Sequence, residues 1–167
     1  MKYYIKQKVF TIGDKYDIYN EQGEPLFHVQ GEIFTFGSKL HLYDLAGNEL
    51  YFIKRRIFTF LPTYEIYQGD NLVATAHKQF TFFISRISIS SHLGEFVIHG
   101  EVFAHEYTIE KDGVVVVEIH KKWFSWGDTY EIDIHDINNI SFYLALVITI
   151  DNCMHNSSSS SSRSSRR

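Results

Sequence analysis

Alternating hydrophobic and polar residues fill most of the first 135 positions of this 167-residue chain. Successive side chains of a strand point to opposite faces, so this alternation predicts half-buried β-strands. The pattern also repeats. Segments reading VFTIGDKYDIY, IFTFGSKLHLY and IFTFLPTYEIY place phenylalanines at positions 10, 34 and 58, which are 24 residues apart. Looser copies at Phe80–Phe82, Val102–Ile109 and Trp123–Asp133 bring the number of repeats to six.

Turn-forming residues lie between the repeats, at Gln22–Pro25, Ala46–Asn48, Gly69–Asn71, His92–Glu95 and Lys111–Gly113. Each repeat also has a short turn of its own, so it is predicted to form two antiparallel strands. Six such pairs give twelve strands. An open sheet of that size would expose two unpaired edges, which closure into a barrel removes. The predicted fold is an all-β, twelve-stranded closed antiparallel barrel with a wide lumen.

One segment departs from this alternation, the run INNISFYLALVITI at Ile137–Ile150. It predicts a hydrophobic C-terminal α-helix at about 137–154, capped by Asp136 or Asn138, that fills the lumen. The alternative is a thirteenth strand, because Val147–Ile150 is β-branched. The eleven residues Ile140–Ile150, in which only Ser141 and Thr149 are polar, would span only about 16 Å as a helix. This is roughly half a bilayer core, which favours a protein wrapper over a membrane.

Composition assigns one domain to residues 1–155 and a disordered Ser/Arg-rich tail to residues 156–167. The formal net charge is −4, and because three arginines lie in the tail, residues 1–155 carry −7. No basic footprint for nucleic acid is present. Cys153 is the single cysteine, which excludes an internal disulfide. The sequence has no signal-peptide pattern and no apolar run long enough to span a membrane. We therefore expect a soluble cytoplasmic protein that can associate with the membrane surface.

Six two-strand repeats followed by a terminal helix of the type ISFYLALVITID resemble the LURP-one-related family. That family lies within the tubby C-terminal-like superfamily, which also contains phospholipid scramblases. The resemblance implies a twelve-stranded barrel around a central helix, and it implies binding to anionic phospholipid or phosphoinositide head groups more than it implies catalysis. The chain lacks the N-terminal extension of scramblases, which argues against lipid transport.

Candidate ligand-binding residues are the cations Lys54 and Arg56, with Lys121 and Lys122 in the corresponding position of the last repeat. Alternation places Lys54, Arg56 and the following phenylalanines on one strand face and Arg55 on the other. Arginine offers a planar fork to a phosphate, so these cations suit an anionic head group. The alternative is a solvated strand face. A composite patch would require the two basic clusters to lie on neighbouring strands.

No catalytic motif appears in the sequence, and we expect neither an enzyme nor a cofactor. Glu131, Asp133 and His135 alternate along the last strand and offer oxygen and nitrogen ligands, but this is also what the outer face of a barrel strand requires. The leading hypothesis is therefore a non-enzymatic barrel that binds an anionic ligand. A protein-interaction module using aromatics such as Phe83 or Trp126 is the alternative, and a tail-anchored membrane protein is a third hypothesis.

Overall fold

A computed structural model describes residues 1–6, 15–32, 37–80, 85–124 and 127–158. Twelve strands and one long helix make up the fold. The strands are β1 (Lys2–Lys6), β2 (Lys15–Tyr19), β3 (Pro25–Gly31), β4 (Lys39–Asp44), β5 (Glu49–Arg55), β6 (Thr63–Gln68), β7 (Asn71–Phe80), β8 (Ser85–Ser91), β9 (Gly94–Glu101), β10 (Glu106–Lys111), β11 (Val114–Phe124) and β12 (Gly127–Ile134). Short 3₁₀ turns occupy Val102–Ala104 and Ile137–Asn139, and helix α1 covers Ile140–Ser158.

The strands form a closed barrel in which each pairs antiparallel with its neighbours in sequence. The first and last strands close it, from the pair Lys2 and Asp133 to the pair Lys6 and Thr129. The pairing of β1 with β2 is confined to Tyr4 and Tyr19. The predicted twelve-stranded barrel around a C-terminal helix is confirmed. Parts of the repeats at 7–14, 33–36, 81–84 and 125–126 lie outside the described residues, as do Phe83 and Trp126.

The barrel has two different ends. All five turns predicted between the repeats lie at one of them, which we term the turn end, where α1 begins. The within-repeat connections are made at the opposite end, which we term the helix-exit end, because the carboxyl-terminal part of α1 lies there. This arrangement follows from the repeat, since each hairpin returns the chain to the same side.

Inward-facing side chains of every strand meet α1 in the lumen. Phe142–Ile150 are all buried, and Leu144, Ala145 and Leu146 are fully so. The wall supplies aliphatic and aromatic side chains at alternate positions, for example Tyr51 and Ile53 on β5. A helix with no polar face requires cover on all sides, and the closed sheet provides it.

The C-terminal helix differs in length from the prediction. The alternative of a thirteenth strand is wrong, and Asp136 caps the preceding 3₁₀ turn by accepting a hydrogen bond from the backbone N–H of Asn138. However, α1 continues past the apolar run to Ser158, about 28 Å in total. Residues 137–154 are thus long and apolar enough to cross a membrane by length and composition. The helix is therefore longer than the expected 16 Å, and what separates α1 from lipid is its burial inside the barrel.

Candidate functional site

The two ends of the barrel carry opposite charge. Acidic residues crowd the turn end, at Glu21, Glu24, Asp44, Glu49, Asp70, Glu95 and Asp112. Basic residues gather at the helix-exit end, at Lys6, Lys15, Lys39, Lys54, Arg55, Arg56, Lys78, Lys121 and Lys122. Exceptions include Lys2 and Lys111 at the turn end and Glu32, Glu65, Glu101 and Glu106 at the helix-exit end. A protein with a net negative charge therefore has one basic end.

The predicted site residues Lys54 and Arg56 share one carboxylate. Lys54 Nζ lies 3.4 Å from Glu65 Oε2, and Arg56 Nε lies 3.5 Å from Glu65 Oε1. Lys54 Nζ also lies 4.6 Å from the centre of the Tyr67 ring. Hydrogen bonding to the Tyr67 hydroxyl and then to Glu65 raises the pKa of Lys54. Two permanent cations facing a single carboxylate leave this part of the outer wall with a positive charge.

Arg55, by contrast, belongs to the inner side of the strand. Its register partner is Tyr64, whose side chain is buried, whereas Lys54 pairs with Glu65 on the outer face. Lys78 is likewise buried near the end of β7. Both cations act on Cys153 in α1, where burial raises the pKa of the thiol to about 11 and the two positive charges partly offset that rise. The inner cations therefore lie close enough to the carboxyl-terminal part of α1 to act on Cys153.

Lys121 and Lys122 divide in the same way. Lys121 pairs in register with Tyr130, which is buried, so its side chain starts from the inner side of the barrel rim. Lys122 lies on the outer face, with its Nζ 3.8 Å from Glu131 Oε1. Of these two predicted site residues, Lys122 is the one placed for a ligand on the outer wall.

The two basic clusters do not form one patch. Strands β5 and β11 are separated by five other strands in either direction around the barrel, so they lie on opposite walls. A composite site on neighbouring strands is therefore wrong. The sequence already indicated that the two basic clusters are far apart, because they belong to the third and the sixth of six repeats. They share the helix-exit end and nothing else.

The segment after Arg56 is not a strand. The expectation that Phe58 and Phe60 continue the face of Lys54 and Arg56 is wrong, because β5 ends at Arg55. Both phenylalanines are fully exposed, and the backbone of Phe58 has a φ of +60°. Alternation across Ile57–Phe60 looks like a continuing strand, and only the following Pro62 indicated a break.

The outer face of β12 is occupied by internal contacts. Glu131 accepts hydrogen bonds from Lys2 Nζ at 2.9 Å and from the Tyr4 hydroxyl at 3.1 Å. Asp133 binds the amino group of Met1 at 3.0 Å. The two carboxylates considered as metal ligands therefore tie β1 to β12. No group of three metal-binding side chains is found in the described part of the chain.

A buried polar cluster lies around the carboxyl-terminal part of α1. Asp151 Oδ1 lies 3.4 Å from His105 Nδ1, and both side chains are buried. The His105 ring stacks on Tyr130 with 3.8 Å between centres. Burial, and then the negative charge of Asp151, raises the pKa of Tyr16 and Tyr107 well above the usual value. The fold uses Asp151 to anchor α1 against the β9–β10 connection.

A surface groove of about 640 Å³ is lined mainly by residues of β2 and β3, together with Lys6 from β1 and Tyr43 from β4. Its lining includes Lys6 and Lys15 at the helix-exit end, together with Tyr19 and an ion pair between Asp17 and His28. Lys6 Nζ lies 5.1 Å from the centre of the Tyr19 ring. The groove therefore mixes basic, acidic and aromatic groups.

Comparison with known proteins places the chain among relatives. The model of the family described as LURP-one-related matches residues 1–151. The chain belongs to this family. The uncharacterized protein YxjI of Bacillus subtilis is 30% identical over 153 residues, which is 92% of this chain and 93% of that protein. An X-ray structure of an Arabidopsis thaliana protein aligns with a TM-score of 0.65 and 15% identity, covering 90% of this chain and 89% of that one.

Family membership confirms the predicted resemblance and the tubby-like barrel fold. The Arabidopsis likeness, at 15% identity, concerns the fold. Neither relative is described with an activity or a ligand. A function for this member of the family has to be argued from its own surface.

Proposed function

We propose that this LURP-one-related barrel is a non-enzymatic cytoplasmic protein that binds anionic phospholipid head groups at its helix-exit end. The observation that supports this proposal is the separation of charge along the barrel axis. A negatively charged membrane attracts the basic end and repels the acidic turn end, so the protein approaches with one orientation.

The residues best placed to contact a phosphate are the outer cations Lys54 and Arg56. Arg56 is more than half exposed, and its guanidinium holds Glu65 through one nitrogen at 3.5 Å. The Glu65 side chain is only 13% exposed, so a phosphate would reach the solvent side of the guanidinium while the contact to Glu65 stays in place. Arginine binds phosphate through two parallel hydrogen bonds, which a single long contact to Glu65 does not supply. Lys122 is a second, separate contact on the opposite wall.

Vesicle co-sedimentation tests this proposal. Purified protein is mixed with phosphatidylcholine vesicles, with or without phosphatidylserine or a phosphoinositide, at low and moderate salt. We expect salt-sensitive binding to the anionic vesicles alone. Each cation near an anionic surface contributes about 1 kcal/mol, so the Lys54→Ala/Arg56→Ala double variant should bind about thirtyfold more weakly.

Two matched controls separate a local site from net charge. Lys111→Ala removes a cation from the turn end and should leave binding nearly unchanged. Glu65→Gln removes the carboxylate between the two outer cations and should strengthen binding, while Asp70→Asn makes the same charge change at the turn end with little effect. Equal binding by the Lys54→Ala/Arg56→Ala variant and the parent would refute the proposal.

A protein-interaction module remains the second candidate, supported by exposed apolar side chains at the same end, such as Phe58 and Phe103. It differs in what it predicts. Binding to anionic vesicles would be absent at both salt concentrations, and association would instead depend on protein concentration. Sedimentation velocity without lipid measures this directly.

A further inference from the structure

Three apolar side chains stand together in solvent on the β5–β6 connection. Within Ile57–Phe60, which we term the aromatic tip, Phe58 and Phe60 are fully exposed and Ile57 is 52% exposed. Single exposed apolar residues are ordinary on protein surfaces. Three within four consecutive residues form a patch, and a patch of this kind marks a surface that is covered by something else.

The chain holds the aromatic tip in place. The backbone N–H of Arg56 donates to the carbonyl of Thr63 at 2.9 Å, which closes the base of the loop. The N–H of Lys78 on β7 donates to the carbonyl of Pro62 at 3.0 Å. Between these anchors Phe58 adopts a φ of +60°, a left-handed conformation that aromatic residues seldom take. A strained backbone and a fully exposed aromatic side chain therefore occur at the same residue.

The position of the aromatic tip selects the partner. It follows Lys54, Arg55 and Arg56 directly and lies at the basic end of the barrel. An apolar tip next to basic residues is complementary to an anionic bilayer. The head groups bind the cations, and the aromatic rings are buried at the boundary between head groups and acyl chains. Phe103, 56% exposed on the β9–β10 connection, lies at the same end on another part of the rim. A broad lipid surface reaches both positions at once, whereas a small ligand does not.

We infer that the aromatic tip inserts into the interfacial region of an anionic bilayer and docks the barrel with its helix-exit end toward the membrane. This inference rests on the proposed function and adds the mode of binding. Head-group contact alone is electrostatic and is lost as salt rises. Insertion of the aromatic rings adds a hydrophobic contribution to the free energy of binding, and this contribution persists at moderate salt.

The first test removes the rings. Phe58→Ala/Phe60→Ala should bind vesicles containing phosphatidylserine at least tenfold more weakly than the parent at moderate salt. The control is Leu45→Ala/Leu72→Ala, which removes two exposed apolar side chains, 57% and 51% exposed, from the turn end. It should bind like the parent. All four side chains are exposed, so both variants are expected to melt at the parental temperature.

The second test reports insertion itself. An environment-sensitive fluorophore is attached to a Phe58→Cys variant, and to Leu45→Cys as the control, while the buried Cys153 does not compete for the label. Anionic vesicles should shift the emission of the label at position 58 to shorter wavelength and leave the label at position 45 unchanged.

The outcomes separate the two proposals. If the parent binds anionic vesicles but the label at position 58 does not respond, insertion is wrong and head-group binding stands. If the parent does not bind at all, both are wrong. If the label at position 58 responds to protein concentration without lipid, a second copy of the chain covers the aromatic tip, and the inference is overturned.

Discussion

Replacing Leu144 by alanine tests whether the lumen of the barrel is as tightly filled as its burial indicates. Leu144 lies in the middle of the buried stretch of α1 and is fully buried. Leucine-to-alanine changes in protein cores lower the free energy of unfolding by about 2 to 5 kcal/mol. The loss is largest where the surrounding side chains cannot move into the cavity. The wall here is a closed hydrogen-bonded ring. We therefore expect Leu144→Ala to lower the free energy of unfolding by about 3 to 5 kcal/mol. This is a large share of a typical free energy of unfolding of about 5 to 15 kcal/mol.

Urea unfolding measures this loss. With a dependence on urea of about 2 kcal/mol per molar, the midpoint should fall by about 1.5 to 2.5 M and the slope should stay unchanged. Leu45→Ala, on an exposed turn, is the control and should change stability by less than about 0.5 kcal/mol. Far-UV circular dichroism and tryptophan fluorescence should give coincident transitions.

A loss below about 1 kcal/mol with an unchanged slope would refute the reasoning. It would mean that the wall closes around the missing side chain, and that the barrel is not the rigid container which the ladder of strands implies. An unchanged control would exclude a general effect of shortening leucine.

Two further predictions concern the ends of α1. Asp136→Ala should lower the free energy of unfolding by about 1 to 2 kcal/mol, because Asp136 caps the 3₁₀ turn and accepts the Tyr143 hydroxyl at 2.9 Å. Hydrogen bonds from the Asn139 side chain and the Asn138 backbone lower the pKa of Asp136, so its stabilisation is present above the unfolded value of about 3.9 and is lost as pH falls through the folded one. The difference between parent and variant should therefore shrink in urea titrations at pH 3, and an undiminished difference would contradict this. Burial raises the pKa of Cys153 to about 11, so a thiol reagent at pH 8 should label the native protein at least about a hundredfold more slowly than the urea-unfolded protein, and equal rates would contradict the burial.

The architecture could be predicted because the same sequence pattern recurs in each repeat. A spacing of 24 residues between equivalent phenylalanines, with turn residues between the copies, fixes the number of strands and the side on which the turns lie. The lumenal helix follows from the one apolar run without alternation. Asp136 was a predicted cap because a short acidic side chain precedes that run. Each of these features is predicted by residues that lie close together in the sequence.

The errors arose where tertiary contacts override a local pattern. Ile57–Phe60 alternates as β5 does, so hydrophobicity alone does not show that the strand stops at Arg55. Asp151, which lies just past the apolar run, likewise had no predicted role. The fold places His105 beside it, 3.4 Å away, and α1 continues to Ser158. A partner 46 positions earlier in the chain leaves no mark near Asp151 in the sequence.

The basic run Lys54–Arg56 illustrates how one sequence feature serves two environments. Because side chains alternate across a strand, Arg55 turns inward toward Cys153 while Lys54 and Arg56 stay outside beside Glu65. The inner cation acts on the buried carboxyl-terminal part of α1, and the outer pair is exposed to solvent, where an anionic surface can reach it. Removing Arg55 should therefore cost stability, whereas removing Lys54 and Arg56 should cost binding. The basic end of the barrel thus combines an inner cation that acts on α1 with two outer cations that lie beside the exposed aromatic tip.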